Sequence, residues 1–250
     1  LVSRDLANVQ AALALKDENP DIDVIVVAKS GGAIVGDWID DVDALIMAWF
    51  GGMQEGTALA EILFGDVNPT GKVVQSFPFE ETDLPPYDTS NTGDMEYDYY
   101  HGYRWLDKEG ITARYPFGFG LSYTTYAYSN LTVAEPTIEA NGTLTVTVDV
   151  QNTGPLAGSE VVQLYVGFDN TAVSDQWGRS VKELKAFRRL EDIQPNETRT
   201  ATLTVDAEEL AYWNTSIDDW EVEGMTYELY VGPSSDTTDP NMQTGSFTVN

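Results

Sequence analysis

Carboxylates crowd this sequence, and the few that stand beside structural punctuation are where acid/base chemistry would first be sought. Glu55 follows Gly51-Gly52-Met53-Gln54 and opens a segment of helical spacing, so it could be called a general acid. The same place complements the positive N-terminus of a helix, and the residues favour that structural role. Asp37, Asp40, Asp41 and Asp43 cluster without calcium-loop spacing and read as a solvated face, not a metal site. His101 is the only histidine, which leaves no histidine pair for a metal and no complete Ser-His-Asp triad. Gly51-Gly52 lacks the spacing of a phosphate loop. No metal site and no cofactor is expected, and with no cysteine there is neither disulfide nor thiolate chemistry.

Aromatic rings are the other candidates, because flat rings stack on the apolar faces of pyranose sugars. Tyr97, Tyr99, Tyr100, Tyr103 and Trp105 surround His101, which favours packing for the histidine and leaves Tyr103 and Trp105 as the substrate-binding candidates. Trp177, Trp213 and Trp220 form a second, more scattered set, with Trp213 and Trp220 expected to pack near strand ends.

The elements that must position these residues change in kind along the chain. Leu6, Val9, Ala12 and Leu13 recur at helical spacing over 5–15, and Asn19-Pro20 stops that helix. A β-branched run over 23–28 reads as a buried parallel strand, and a second strand is expected over 44–49. Gly51-Gly52 then turns into a helix over 54–64 with Leu59, Ile62 and Leu63 on one face, and a last short strand is expected over 72–76. Pro78, Pro85 and Pro86 open a long connector. It closes on Arg114-Tyr115-Pro116-Phe117-Gly118-Phe119-Gly120-Leu121-Ser122-Tyr123-Thr124, a run that suits neither helix nor ordinary strand. Beyond it the period becomes two: Leu144, Val146, Val148 and Val150 alternate with polar residues. Strands near 126–133, 144–150, 159–167, 181–189, 198–205, 225–231 and 245–249 make seven, the number of a β-sandwich. The expected fold is therefore a partial α/β parallel layer over 1–84, a connector over 85–124 and an all-β sandwich over 125–250.

Charge narrows the partners. Against 41 acidic residues stand 13 basic ones, a formal net charge of -28. Nucleic acid and anionic membrane are excluded as partners. The acids are scattered over the chain, which reads as salt adaptation and implies either the cytoplasm of a salt-accumulating organism or an extracellular setting. No apolar run approaches the length of a membrane span, and the start at Leu1 suggests a processed or cut chain. Asn130, Asn141, Asn196 and Asn214 begin Asn-x-Ser/Thr patterns that are inexpensive matches in a threonine-rich chain.

Four motifs resemble glycoside hydrolase family 3, the β-glucosidase and β-xylosidase group: Ala48 to Gly56, Leu63 to Lys72, Gly102 to Asp107 with Pro116 to Thr124, and Val181 to Phe187. They run in the family's order over nearly the whole chain. The resemblance implies a C-terminal portion, a late α/β sandwich followed by a fibronectin type III-like domain. It also implies that the aspartate nucleophile and glutamate acid/base lie outside this chain, in an upstream barrel and early second domain. Retaining hydrolysis needs two carboxyls about 5 Å apart. No Ser-Asp-Trp occurs, and Asp37-Trp38 lacks the preceding serine, so no catalytic residue is carried over. The implied partners are an oligosaccharide substrate within the complete enzyme and a barrel domain, on the same or a separate chain. Non-enzymatic sugar binding or scaffolding is the alternative. Phe119 stands where many relatives carry histidine, and would order its surroundings by packing alone.

Overall fold

The computed structural model describes residues 3–86, 99–173 and 178–250. Helix α1 (Ser3–Glu18) leads to β1 (Ile25–Ala28), which pairs in parallel with β2 (Ala44–Met47), Ile25 opposite Ala44 and Ala28 opposite Met47. Helix α2 (Glu55–Leu63) follows directly. Leu6, Val9 and Leu13 of α1 pack on a small core of Ala28, Ile34, Trp38, Ile39 and Phe77, as their spacing requires. This layer is open: Phe50 is 76% exposed and Phe64 85%.

The strand expected over 72–76 does not form. Instead the aromatic run doubles back beside it: Val73 N–H donates to the Phe119 carbonyl at 2.8 Å, Gly118 N–H to Val73 at 2.8 Å, and Phe77 N–H to Tyr115 at 2.8 Å. Pro116 lies within this pairing and Pro78 just beyond it, and both deny it donors for a regular ladder. Gly118 has φ +81, and a Cβ there would lie 2.0 Å from Gln163 Oε1; at Gly120 a Cβ would lie 2.2 Å from the Gly71 carbonyl. Both glycines are therefore fixed by close approach, the first to the sandwich and the second to the α/β layer.

The connector also carries a helix that periodicity did not announce, α3 (Tyr103–Glu109), ended by Gly110 in the left-handed region at φ 66. Seven residues leave too little sequence for a repeating stripe.

The sandwich contains all seven expected strands: β3 (Tyr126–Val133), β5 (Thr143–Asn152), β6 (Gly158–Gly167), β7 (Lys182–Ile193), β8 (Thr198–Asp206), β11 (Thr226–Gly232) and β12 (Gln243–Val249). Three short ones add to them: β4 (Thr137–Ile138), β9 (Tyr212–Asn214) and β10 (Asp219–Glu221). One sheet runs β4-β12-β11-β6-β7, the other β3-β5-β8. Val146, Val148 and Val150 are wholly buried between them, and burial of such a side chain contributes about 1.5–3 kcal/mol. In β6 the alternation fails over 162–167, where every residue is buried, because the connector covers the face that would otherwise meet water. Asn152, also wholly buried, is fully used: its amide donates to Leu156 at 2.7 Å and Ile193 at 2.8 Å, and its oxygen accepts from Thr124 and Gly154.

Candidate functional site

The region where the expected site residues meet is the joint between α3 and the sandwich. Strand β7 is an edge strand, and a bulge opposite Leu164 and Tyr165 disturbs its pairing with β6. The Leu184 N–H on that edge donates to the Tyr103 hydroxyl at 3.0 Å, so α3 covers an edge that would otherwise offer free backbone groups. The Tyr103 ring lies 5.4 Å from Phe117 and 5.8 Å, edge-on, from Tyr165. One turn further, Asp107 meets Lys182 at 2.5 Å, with the Lys182 side chain 4% exposed. Burial raises the Asp107 carboxyl, against the pull of the Lys182 ammonium.

Glu183 is the hub of the same edge. It accepts from Tyr99 and Ser180, pairs with Lys185 at 2.7 Å and lies 3.8 Å from Arg104. Burial alone would raise this carboxyl, but the Lys185 charge and hydrogen bond and the Tyr99 hydroxyl together bring it down to about 2. Burial and the Glu183 carboxylate push Tyr99 up to about 12. An acid held ionised and a phenol held protonated cannot exchange a proton at neutral pH, so this network is a clamp.

Around α3 a crevice of about 430 Å3 opens, lined among others by Ser76, Tyr103, Asp107, Lys182, Tyr230 and Ser235. Tyr103 is thus brought to a concavity. Trp105 is held by its indole N–H, which donates to Asp83 at 2.9 Å. His101 stands just before α3 and is exposed. Tyr97 and Trp177 lie outside the described residues.

The remaining candidates take structural positions. Glu55 opens α2 and pairs with Lys29 at 2.9 Å. Asp40 pairs with Arg114; Asp43 pairs with Lys16 at 2.8 Å and accepts from Val24 N–H at 2.7 Å, which together lower its carboxyl. Asp37 is exposed while its neighbour Trp38 is buried. Phe119 stacks on Tyr115 at 5.3 Å.

Trp213 and Trp220 are the central residues of the three-residue strands β9 and β10, so each lies one residue from a strand end. They face one another across the β9–β10 hairpin, 5.6 Å apart and edge-on, 43% and 65% exposed. The hairpin's other face is tied by Glu221, which accepts from Tyr212 at 2.8 Å and from Asn214. Beside Trp220 lies an open concavity of about 920 Å3, bordered by Glu139, Asn141, Glu208, Glu209 and Glu221. The hydrogen bonds from Asn214 and Tyr212 lower Glu221, the reverse of what a general acid needs.

The joint and the sandwich are stitched to the α/β layer by polar groups, most of them half-buried. Asn68 donates to Ala157 at 3.0 Å and accepts from Ser122 and Tyr123, while Lys72 reaches Glu160 at 2.9 Å. An open α/β layer, an aromatic joint and an appended two-sheet sandwich define the class by architecture: an α/β unit that carries an all-β module. Residues 3–123 match the glycosyl hydrolase family 3 C-terminal domain and residues 160–235 the fibronectin type III-like domain. The chain belongs to glycoside hydrolase family 3 and corresponds to the C-terminal part of its β-glucosidase-like members.

Its relatives include thermostable β-glucosidase B of Acetivibrio thermocellus, 39% identical over 216 residues, covering 85% of this chain and 28% of the relative. Probable β-glucosidase I of Aspergillus fumigatus is 39% identical over 229 residues, covering 88% of this chain and 26% of that protein. The structure of β-glucosidase 3B from Thermotoga neapolitana in complex with α-D-glucose superposes with a TM-score of 0.86 at 32% identity, over 99% of this chain and 34% of its own. The chain thus spans from 26% to 34% of the length of these proteins.

Proposed function

We propose that this chain forms the C-terminal wall of a β-glycosidase that removes terminal β-linked glucosyl or xylosyl residues, the reacting carboxylates being supplied by a barrel portion outside these 250 residues. The observation that carries the reading is the ordered match to both domains of β-glucosidases while the chain spans only 26% to 28% of the two curated relatives above. The open α/β layer, with Phe50 and Phe64 bare, supports it: a two-stranded parallel sheet with both edges unpaired among the described residues needs further layers. We divide the chain into the layer over 1–84, the connector over 85–124 and the sandwich over 125–250. Sugar contact at Tyr103 is supported by its place on the crevice; at Trp105 it rests on the partly exposed ring. The net charge of -28 supports a salt-rich working environment.

Mixing this chain with the barrel portion of the Acetivibrio thermocellus relative, expressed without its matching C-terminal region, tests the reading. Co-elution and release of nitrophenol from a nitrophenyl β-glucoside are expected. Two folded chains that neither associate nor turn over substrate would count against it.

One observation favours a second reading, a sugar-binding module. The exposed Trp213–Trp220 pair offers a ring face that the hairpin's own stability does not require to be open. Titration with cello-oligosaccharides decides it: heat lost in Trp220→Ala supports binding, and no heat in the unaltered chain dismisses it.

A further inference from the structure

The crevice beside α3 holds polar groups that neither the clamp nor the core employs. An ammonium has three donors, and Lys182, almost wholly buried, gives one to Asp107 and finds no second acceptor among the described residues. Asp107 binds Lys182 through Oδ2 and leaves its other oxygen unpaired among the described residues. Ser76 is 8% exposed and lines the same crevice, yet its hydroxyl has no partner in the described structure. Of the three, only the Ser76 hydroxyl is both closed off from water and unpaired; Asp107 is half-buried, and its second oxygen is not sealed. The rim adds the hydroxyls of Thr112, Ser235 and Thr237 and the phenol of Tyr230.

The sign of the charges selects the ligand. Lys182 and Asp107 cancel, and Asp236 on the rim leaves a slight negative excess in a chain already at -28. An anion would meet two carboxylates, and a cation would crowd the Lys182 ammonium. A neutral molecule that both donates and accepts hydrogen bonds meets neither objection. The rings of Tyr103 and Tyr230 and the side chains of Leu106 and Ile111 offer it apolar surface. A volume of about 430 Å3 lies within the range of small-ligand pockets.

We propose that this crevice is a binding site for a neutral polyhydroxy compound of monosaccharide size, with Lys182 donating to a ligand oxygen and the hydroxyls of Thr112 and Tyr230 meeting it from the rim. The proposal stands on the crevice's own groups and shares only Tyr103 with the sugar-contact reading.

Saturation-transfer NMR and calorimetry on the 250-residue chain, with D-glucose and inorganic phosphate as separate probes, test it. Glucose is expected to bind in the millimolar range and phosphate not at all. Thr112→Val and Tyr230→Phe, which keep the side-chain shape and remove one hydroxyl each, are expected to weaken glucose about threefold to tenfold, the worth of one contact, in a chain that still folds. Lys182→Met would strand Asp107, so the double change Lys182→Met with Asp107→Leu keeps an apolar pair in place and is expected to abolish binding in a folded chain. Absence of glucose binding, preference for phosphate, or glucose binding that all these variants retain would each overturn the proposal.

Discussion

Glu183 shows how a single carboxyl can hold an edge strand and a helix together. Its ordinary value of 4.5 falls to about 2 in the folded chain, so its ionised form stabilises the fold fully above pH 4.5. That contribution, on the order of 3 kcal/mol, is lost as pH falls from 4.5 towards 2. Asp107, raised by burial, works in the opposite sense and is relieved by protonation. Glu183→Gln is therefore expected to lower the melting temperature at neutral pH and to flatten its fall over that acid range, as thermal unfolding across pH will register. Neither role was legible in the sequence, since a hub made from Tyr99, Arg104, Ser180 and Lys185 joins residues up to about eighty positions apart. Legible instead were local matters: Glu55 at a helix start, and the aspartates at 37–43 as surface groups, of which Asp40 and Asp43 hold ion pairs.

At the scale of elements the aromatic run is the part most constrained by space. Gly118→Ala would drive a methyl into Gln163, and Gly120→Ala into the Gly71 carbonyl. Each is expected to cost about 2–4 kcal/mol in denaturant unfolding. Gly56→Ala, in α2 with open space around it, should stabilise by about 0.5 kcal/mol and serves as the contrast. Asn152→Ala should cost about 3 kcal/mol or more, because two carbonyls, the Thr124 hydroxyl and the Gly154 N–H lose their partner together. Strand β5 could be read from strict alternation because one of its faces lies on the core, whereas β6 is buried on both faces over 162–167. The 72–76 segment misled, since a short apolar run says nothing about its partner, and here the partner is the connector's own irregular return. The β9–β10 hairpin was hidden among turn-forming residues, with Asp218 at φ 57 closing its loop.

For the molecule as a whole, charge and completeness are the two open quantities. With 41 acids and 13 bases, mutual repulsion opposes compactness in dilute buffer, so the melting temperature is expected to rise steeply with sodium chloride up to a few tenths molar and then more slowly. A flat response would remove the case for salt adaptation. The fold class was readable because two different periodicities meet at a connector; the crevice was not, because its groups come from the α/β layer, α3 and the segment after it, the start of β7, and β11 with the turn that follows it. The account as a whole rests on the chemistry lying elsewhere. Nitrophenol release from a nitrophenyl β-D-glucoside by the purified chain alone, in molar salt, measures that most directly. No release above the buffer background is expected; turnover that stays with the chain through purification and disappears when one of its own carboxylates is changed to an amide would contradict a catalytic pair supplied from outside it.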